Sequence, residues 1–193
     1  MQGAQNPVSK LIFLDTEYCS ATHELAQLSY ILMQNGLTVC KNFYFHVSHM
    51  DEGSFSVNGL SVQWLQEHGV PHETAAAEVL ADFSGATLVA HNLNADKRVL
   101  VQAFGALPNA FGLCTMYRFA KVLKLPGGRP YKMPSLRELM AHYAVTEEEV
   151  SALTCADFCT DAAHHDARWD AEAARLCAIR AMQQGDCRNL LQE

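Results

Sequence analysis

An α/β domain on a mixed sheet is the fold class this chain predicts, and three observations predict it. The opening third holds three strand-like apolar runs, the second and third joined by an Asn-Gly pair. The rest alternates helix-like stretches, several led by a capping residue, with short apolar runs. The 193 residues are 49% hydrophobic and 18% charged, an ordinary globular balance with enough length for one sizeable core. Three antiparallel strands followed by alternating helices and strands give a mixed central sheet flanked by helices.

Residues 1–10 read as a flexible N-terminal lead, 11–185 as a single domain and 186–193 as a C-terminal tail. Residues 11–17, Leu-Ile-Phe-Leu-Asp-Thr-Glu, form a buried strand that ends in acids. Residues 25–33 and 37–47 flank Asn35-Gly36, the strongest short hairpin signal. Ser61 caps a short helix with Trp64 and Leu65, and 73–83 is an Ala-rich helix. Residues 87–91 form a short strand and 94–104 the next helix. Residues 111–116 are a strand leading into a basic helix that ends near Lys124, and 126–130 is a Pro/Gly loop. Residues 135–143 are helical, Thr146-Glu-Glu-Glu149 has the spacing of a capping box, and the last helix covers 167–184.

Composition narrows the function classes. Seven scattered cysteines, an odd number, suit a reducing cytoplasm better than a disulfide framework. No apolar run reaches the ~20 residues of a membrane span, and the N-terminus lacks the pattern of a signal peptide. There is no Gly-rich phosphate loop and no nucleophile elbow. The net charge of −7 argues against a general nucleic-acid binder, yet it hides an asymmetry. Residues 97–137 hold Lys97, Arg98, Arg118, Lys121, Lys124, Arg129, Lys132 and Arg137 with no acid among them. The rest of the chain keeps six basic residues and all twenty-one acids. This stretch is either a solvated helical surface or an electropositive face suited to phosphates.

Three constellations carry chemistry. Asp15 and Glu17 share one face of a strand, because side chains alternate with period two. Two carboxylates so placed need a cation, a shared proton or an escape to solvent. His91-Asn92 and then Asp96 follow the 87–91 strand, although an acid in the first turn of a helix is favoured by the dipole alone. His165-Asp166-Ala167-Arg168-Trp169-Asp170 opens the last helix. With the His in the preceding loop, it and Asp170 can converge.

In this order and spacing, Asp-x-Glu, His-Asn-x-x-x-Asp and His-x-Ala-x-x-Asp resemble the DEDDh (DnaQ-like) family of 3′→5′ exonucleases over residues ~11–182. The resemblance implies a ribonuclease H-like fold and a catalytic set of Asp15, Glu17, Asp96, His165 and Asp170. By that resemblance the four carboxylates hold two divalent cations, Mg²⁺ or Mn²⁺, with Asp15 bridging them. Oxygen ligands suit these ions. His165 is the base, since a histidine titrates near neutral pH; His164 is its rival, six residues before Asp170. Thr16, Tyr18, Leu60, Ser61 and Asn92 are the candidate substrate contacts, Leu60 as a wedge at the terminal bases. The expected partners are 3′ ends of single-stranded DNA or RNA, with a second copy of the chain or a polymerase as further candidates.

The chain departs from the family pattern at Tyr18-Cys19-Ser20, where Thr and Gly usually follow the first motif, and at Ala95, where Phe is frequent. Asn58-Gly59-Leu60-Ser61 stands where the family has His-Gly-Ile-Thr. The rival readings are a catalytically silent nucleic-acid-binding or polymerase-associated module, a metal-dependent endonuclease on the same fold, and a zinc site at Cys155, Cys159 and His164.

Overall fold

The computed structural model describes residues 10–108 and 111–186. The expected lead and tail lie outside these residues, apart from Lys10 and Asp186. Among the described residues, five strands form one sheet in the order β3-β2-β1-β4-β5: β1 Leu11–Tyr18, β2 Leu25–Gln34, β3 Leu37–Tyr44, β4 Thr87–Ala90 and β5 Phe111–Cys114. β1, β2 and β3 pair antiparallel, whereas β4 joins β1 and β5 joins β4 in parallel. The sheet is therefore mixed, as the sequence predicts. Asn35 and Gly36 both have positive φ, 55° and 76°, the requirement of the type I′ turn between antiparallel strands.

Among the described residues, eight helices surround the sheet: α1 Glu52–Asn58, α2 Val62–His68, α3 His72–Phe83, α4 Leu93–Phe104, α5 Thr115–Leu123, α6 Leu136–His142, α7 Glu147–Phe158 and α8 Ala167–Gln184. The alternation along β1 sorts them into layers. Ile12 and Leu14 face α3 and α4, packing with Val79, Phe83, Val99 and Leu100. Leu11 and Phe13 face the other layer, with Phe119, Leu139, Trp169 and Ala174. No helix among the described residues is long and apolar enough to cross a membrane.

Several boundaries differ from the sequence expectation for local reasons. The third strand stops at Tyr44; Phe45 continues only as an isolated bridge to Val70. The fifth strand ends at Cys114, and α5 begins at Thr115. α1 had no counterpart in the sequence reading, because Gly53, Ser54 and Asn58 are poor helix formers. Asp51 caps it, accepting from the Ser54 N–H at 3.0 Å. At Thr146 one bond of the expected box forms, from the Glu149 N–H at 3.1 Å; a full reciprocal box stands at Ser135 and Glu138.

The longest helix lies directly over β1 and β2. Its buried Ala167, Ala171, Ala174, Ala178 and Ala181 recur every three or four residues, a flat seam that lets the helix approach the strands closely. The approach carries a polar cost at the helix start, where backbone N–H groups lack partners. Gln27 of β2 meets it. Its Oε1 accepts from the Ala167 N–H at 3.3 Å, and its Nε2 donates to Asp166 Oδ1 at 3.0 Å and Asn42 Oδ1 at 2.9 Å. Asp166 caps the helix and is gripped by the Arg168 guanidinium.

Replacing Gln27 with Leu keeps the size but strands the buried Ala167 N–H and takes one donor from Asp166 Oδ1, while Asn42 Oδ1 keeps the Ser29 hydroxyl. The expected outcome is a loss of about 1–3 kcal/mol, read as a shifted denaturant midpoint. An unshifted midpoint would show that apolar packing alone seats α8.

Candidate active site

The site grows from the end of β1. Asp15 and Glu17 continue the face begun by Leu11 and Phe13, so the strand delivers its two carboxylates towards α8. Their direct partners across the antiparallel pair are Ser29 and Gln27, neither of them charged. A register shift at Glu17/Tyr18 marks a bulge that ends the ladder next to the acids. On the other side, β4 pairs with β1 only as far as Phe13, which leaves a crevice at the carboxyl ends of the parallel strands.

α8 brings Asp170 into this crevice one turn after its cap. Oxygen atoms of Asp15, Glu17 and Asp170 lie within 4.8 Å of one another. Asp96, on α4, stands outside that trio but close to it, and is held from behind: the Thr16 hydroxyl donates to its Oδ1 at 2.8 Å. Its other oxygen, Oδ2, is buried with no hydrogen-bond partner. A buried carboxylate oxygen left without a donor is costly unless a cation, a proton or a water meets it.

Electrostatics follow from this crowding. Burial, and then the neighbouring Asp96 and Asp170 charges, push the Asp15 carboxyl well above its usual range. Glu17 is pushed up to about 8, by burial first and Asp170 second, with the Asn58 side chain opposing the rise through a hydrogen bond. Burial pushes Asp96 up to about 7 against the Thr16 bond. The donors are all oxygens, they repel one another, and one oxygen is orphaned. This set fits a hard divalent cation.

The two histidines before α8 divide their contacts unexpectedly. The ring of His164, not that of His165, meets Asp170, with Nδ1 at 3.0 Å from Oδ1. His165, at φ 67°, donates its main-chain N–H to Asp170 Oδ2 at 3.2 Å, and its exposed ring lines the cleft with its centroid 3.9 Å from that of His164, the two planes tilted by 31°. Partial burial and the neighbouring His164 hold the His165 imidazole below its usual pKa.

An open cleft of about 620 Å³ runs from these groups to a facing wall of residues 132–137. His91 fixes that wall. Its Nε2 is 3.0 Å from the Pro134 carbonyl, which can only accept, so Nε2 carries the proton and Nδ1 accepts from Thr115 Oγ1 at 3.0 Å. Burial lowers the His91 pKa and keeps the ring neutral. Of the eight basic residues in 97–137, Lys132 and Arg137 line the cleft, paired with Glu138 and Glu147 at 2.6 and 3.6 Å.

The predicted substrate contacts are not all in one place. Tyr18 and Asn92 line the cleft; Asn92 has φ 74° at the start of α4. Thr16 contributes there too, but its hydroxyl is committed to Asp96. Leu60 packs into a small cluster around Val47 and Leu65, and the Ser61 hydroxyl caps α2 by accepting from the Trp64 N–H at 3.1 Å. Neither Leu60 nor Ser61 lines the cleft or the smaller hollow of about 260 Å³ beside Glu17 and Asn58. Among the described residues, Cys155, Cys159 and His164 are not gathered into a group that could hold a metal.

Three contributors escaped the sequence reading. Gln27 left a signal, an amide inside an otherwise apolar run. Asn58 links two parts of the site: its Oδ1 accepts from the Leu60 N–H at 2.9 Å, and its side chain bonds Glu17. Asp51 organises the unusual turn after β1, accepting from Cys19 Sγ at 3.3 Å, Ser20 Oγ at 3.0 Å and the Ala21 N–H at 3.3 Å. Hydrogen bonds, those from Ser54 foremost, hold its carboxyl well below the usual range.

No protein-family model matches the chain, and no curated protein sequence matches it. Solved structures do. A structure of exonuclease I, described for what it suggests about processivity, aligns with a TM-score of 0.67 at 16% identity, over 91% of this chain and 41% of that one. E. coli exonuclease I in complex with a dA16 oligonucleotide aligns at 0.68 and 15% identity, over 91% and 41%. The zinc-bound form of the E. coli exonuclease I complex with single-stranded DNA aligns at 0.62 and 16%, again over 91% and 41%. This chain thus spans about two-fifths of the neighbours' length. The likeness is one of fold, the ribonuclease H-like arrangement expected from the sequence.

The raised carboxylates give a stability prediction with a definite sign. Glu17 keeps its proton in the folded chain up to about pH 8, whereas unfolded it loses it near its ordinary 4.5. The folded state binds more protons between these values, so metal-free stability falls as pH rises through that window. Melting curves of the metal-free chain should show this fall, Glu17→Gln should flatten it, and Mn²⁺ should raise the midpoint more at pH 8 than at pH 5. A metal-free midpoint that climbs across the window contradicts the electrostatic account.

Proposed function

We propose that this chain is a divalent-metal-dependent exonuclease that hydrolyses single-stranded DNA or RNA from the 3′ end and releases nucleoside 5′-monophosphates. The observation that carries the reading is the meeting of Asp15, Glu17 and Asp170 at the mouth of an open cleft, with the orphaned Asp96 oxygen beside them. The order and spacing of these residues in the sequence support it, as does the fold likeness to exonuclease I, whose complexes with oligonucleotides include dA16.

In this reading Asp15, Glu17 and Asp170 would hold divalent cations together with the free oxygen of Asp96. When bound, such ions lower the pKa of an attacking water and neutralise the charge that builds on the phosphoryl oxygens. The protein supplies the rest. Thr16 holds one oxygen of Asp96 so that the other stays aimed at the site. The His165 main chain orients Asp170, and its imidazole on the cleft, held below its usual pKa, takes the proton of the water at a ring nitrogen. The hydroxide oxygen then bonds to phosphorus as the bond from phosphorus to the 3′ oxygen of the preceding nucleotide breaks, and that oxygen takes up a proton from solvent to leave as a 3′ hydroxyl. Tyr18 and Asn92 flank the terminal nucleotide, and Lys132 and Arg137 meet backbone phosphates across the cleft. Leu60 and Ser61 act from behind, holding the wall that carries Asn58.

Digestion of 5′-labelled single strands of DNA and RNA tests the proposal. With Mg²⁺ or Mn²⁺, products should shorten stepwise from the 3′ end, and EDTA or Glu17→Gln should stop the reaction. His165→Ala should slow it by about 10²–10⁴-fold. Cuts in a circular strand would make the chain an endonuclease, and binding without cleavage would make it a silent module.

A further inference from the structure

The exonuclease reading leaves His164 without a task. Its ring is half-buried, 5.3 Å from that of Trp169 and 3.9 Å from that of His165, and Nδ1 points at Asp170 Oδ1 from 3.0 Å. One ligand atom each from His164, His165 and Asp170 lies within 4.8 Å of the other two. This trio differs in chemistry from Asp15, Glu17 and Asp170. Those offer only oxygen, the choice of Mg²⁺ and Ca²⁺, whereas two imidazoles and a carboxylate are the donors of a borderline cation. A tetrahedral zinc ion, with arms of ~2.0–2.1 Å, sets its ligand atoms roughly 3.3 Å apart. The His164–Asp170 pair is already near that spacing. His165 is exposed, and all three residues line the cleft, from which water can supply a fourth ligand.

We infer that His164, His165 and Asp170 form a second cation site, selective for zinc, which overlaps the all-oxygen centre at Asp170. A zinc ion there takes a nitrogen lone pair from each histidine and an oxygen from the carboxylate shared by both sites. Zinc and the harder cations therefore compete for one side chain. Binding stands on this geometry alone. Its consequence, that zinc switches hydrolysis off by occupying His165 and drawing Asp170 away, rests on the exonuclease reading.

Calorimetric titration of the metal-free chain with ZnCl₂, and separately with MgCl₂, tests the site. The expected result is one zinc per chain, with affinity falling about tenfold or more in His164→Gln while magnesium affinity holds. Glu17→Gln should do the reverse, weakening magnesium and keeping zinc. Co²⁺ in place of zinc should give the intense visible bands of a four-coordinate site with nitrogen ligands. Undiminished zinc binding by His164→Gln overturns the inference, as does loss of zinc together with magnesium in Glu17→Gln. If His164→Gln does not fold, a weak six-coordinate Co²⁺ spectrum of the unaltered chain overturns it as well. A chain that binds zinc as expected yet cuts no strand in Mg²⁺ or Mn²⁺ refutes the exonuclease reading and leaves this site standing.

Discussion

The docking of α8 onto β1 and β2 opposes a repulsion that the rest of the structure is arranged to bear. Seating the helix brings Asp170 to within 4.8 Å of Asp15 and Glu17, three like groups at the end of an apolar strand. Left alone, they would push the helix away. The alanine seam provides close apolar contact over the length of the helix, and Gln27 satisfies its first turn. Because Gln27 stands directly opposite Glu17 in the ladder, one residue pair couples strand register to helix position. A slip of one residue in β1 would turn both carboxylates to the α3 and α4 side and lose the cluster.

Much of this was legible in the sequence, for identifiable reasons. Side-chain alternation puts Asp15 and Glu17 on one face of β1, and Asn35-Gly36 marks the hairpin; both follow from backbone geometry alone. Asp96 and Asp170 were legible as acids near helix starts. Their different surroundings were not, because the Thr16–Asp96 bond joins residues eighty positions apart. Leu60 and Ser61 show the same limit. The sequence places them beside the site, but packing against Val47 and Leu65 and a capping bond to the Trp64 N–H turn their side chains to other work. The histidine pair is subtler: the ring of His164 and only the main chain of His165 bond Asp170, a division set by local backbone conformation that spacing cannot reveal.

Charge is distributed along the cleft with similar economy. One end of the cleft holds the crowded carboxyl groups, whose burial favours their protonated forms, and the facing wall offers Lys132 and Arg137, each partly offset by an acid of its own. The neutral His91 holds that wall at a fixed distance without adding charge to either side. The turn after β1 at Cys19 and Ser20 is anchored by Asp51 instead of by glycine freedom.

β1 and α8 bring three carboxyl groups together as the donors of a divalent cation. Anomalous diffraction from crystals grown in Mn²⁺ locates such an ion directly. Manganese is expected among the oxygens of Asp15, Glu17 and Asp170. Manganese bound elsewhere, or these carboxylates protonated and metal-free at pH 8 in saturating Mn²⁺, would contradict it.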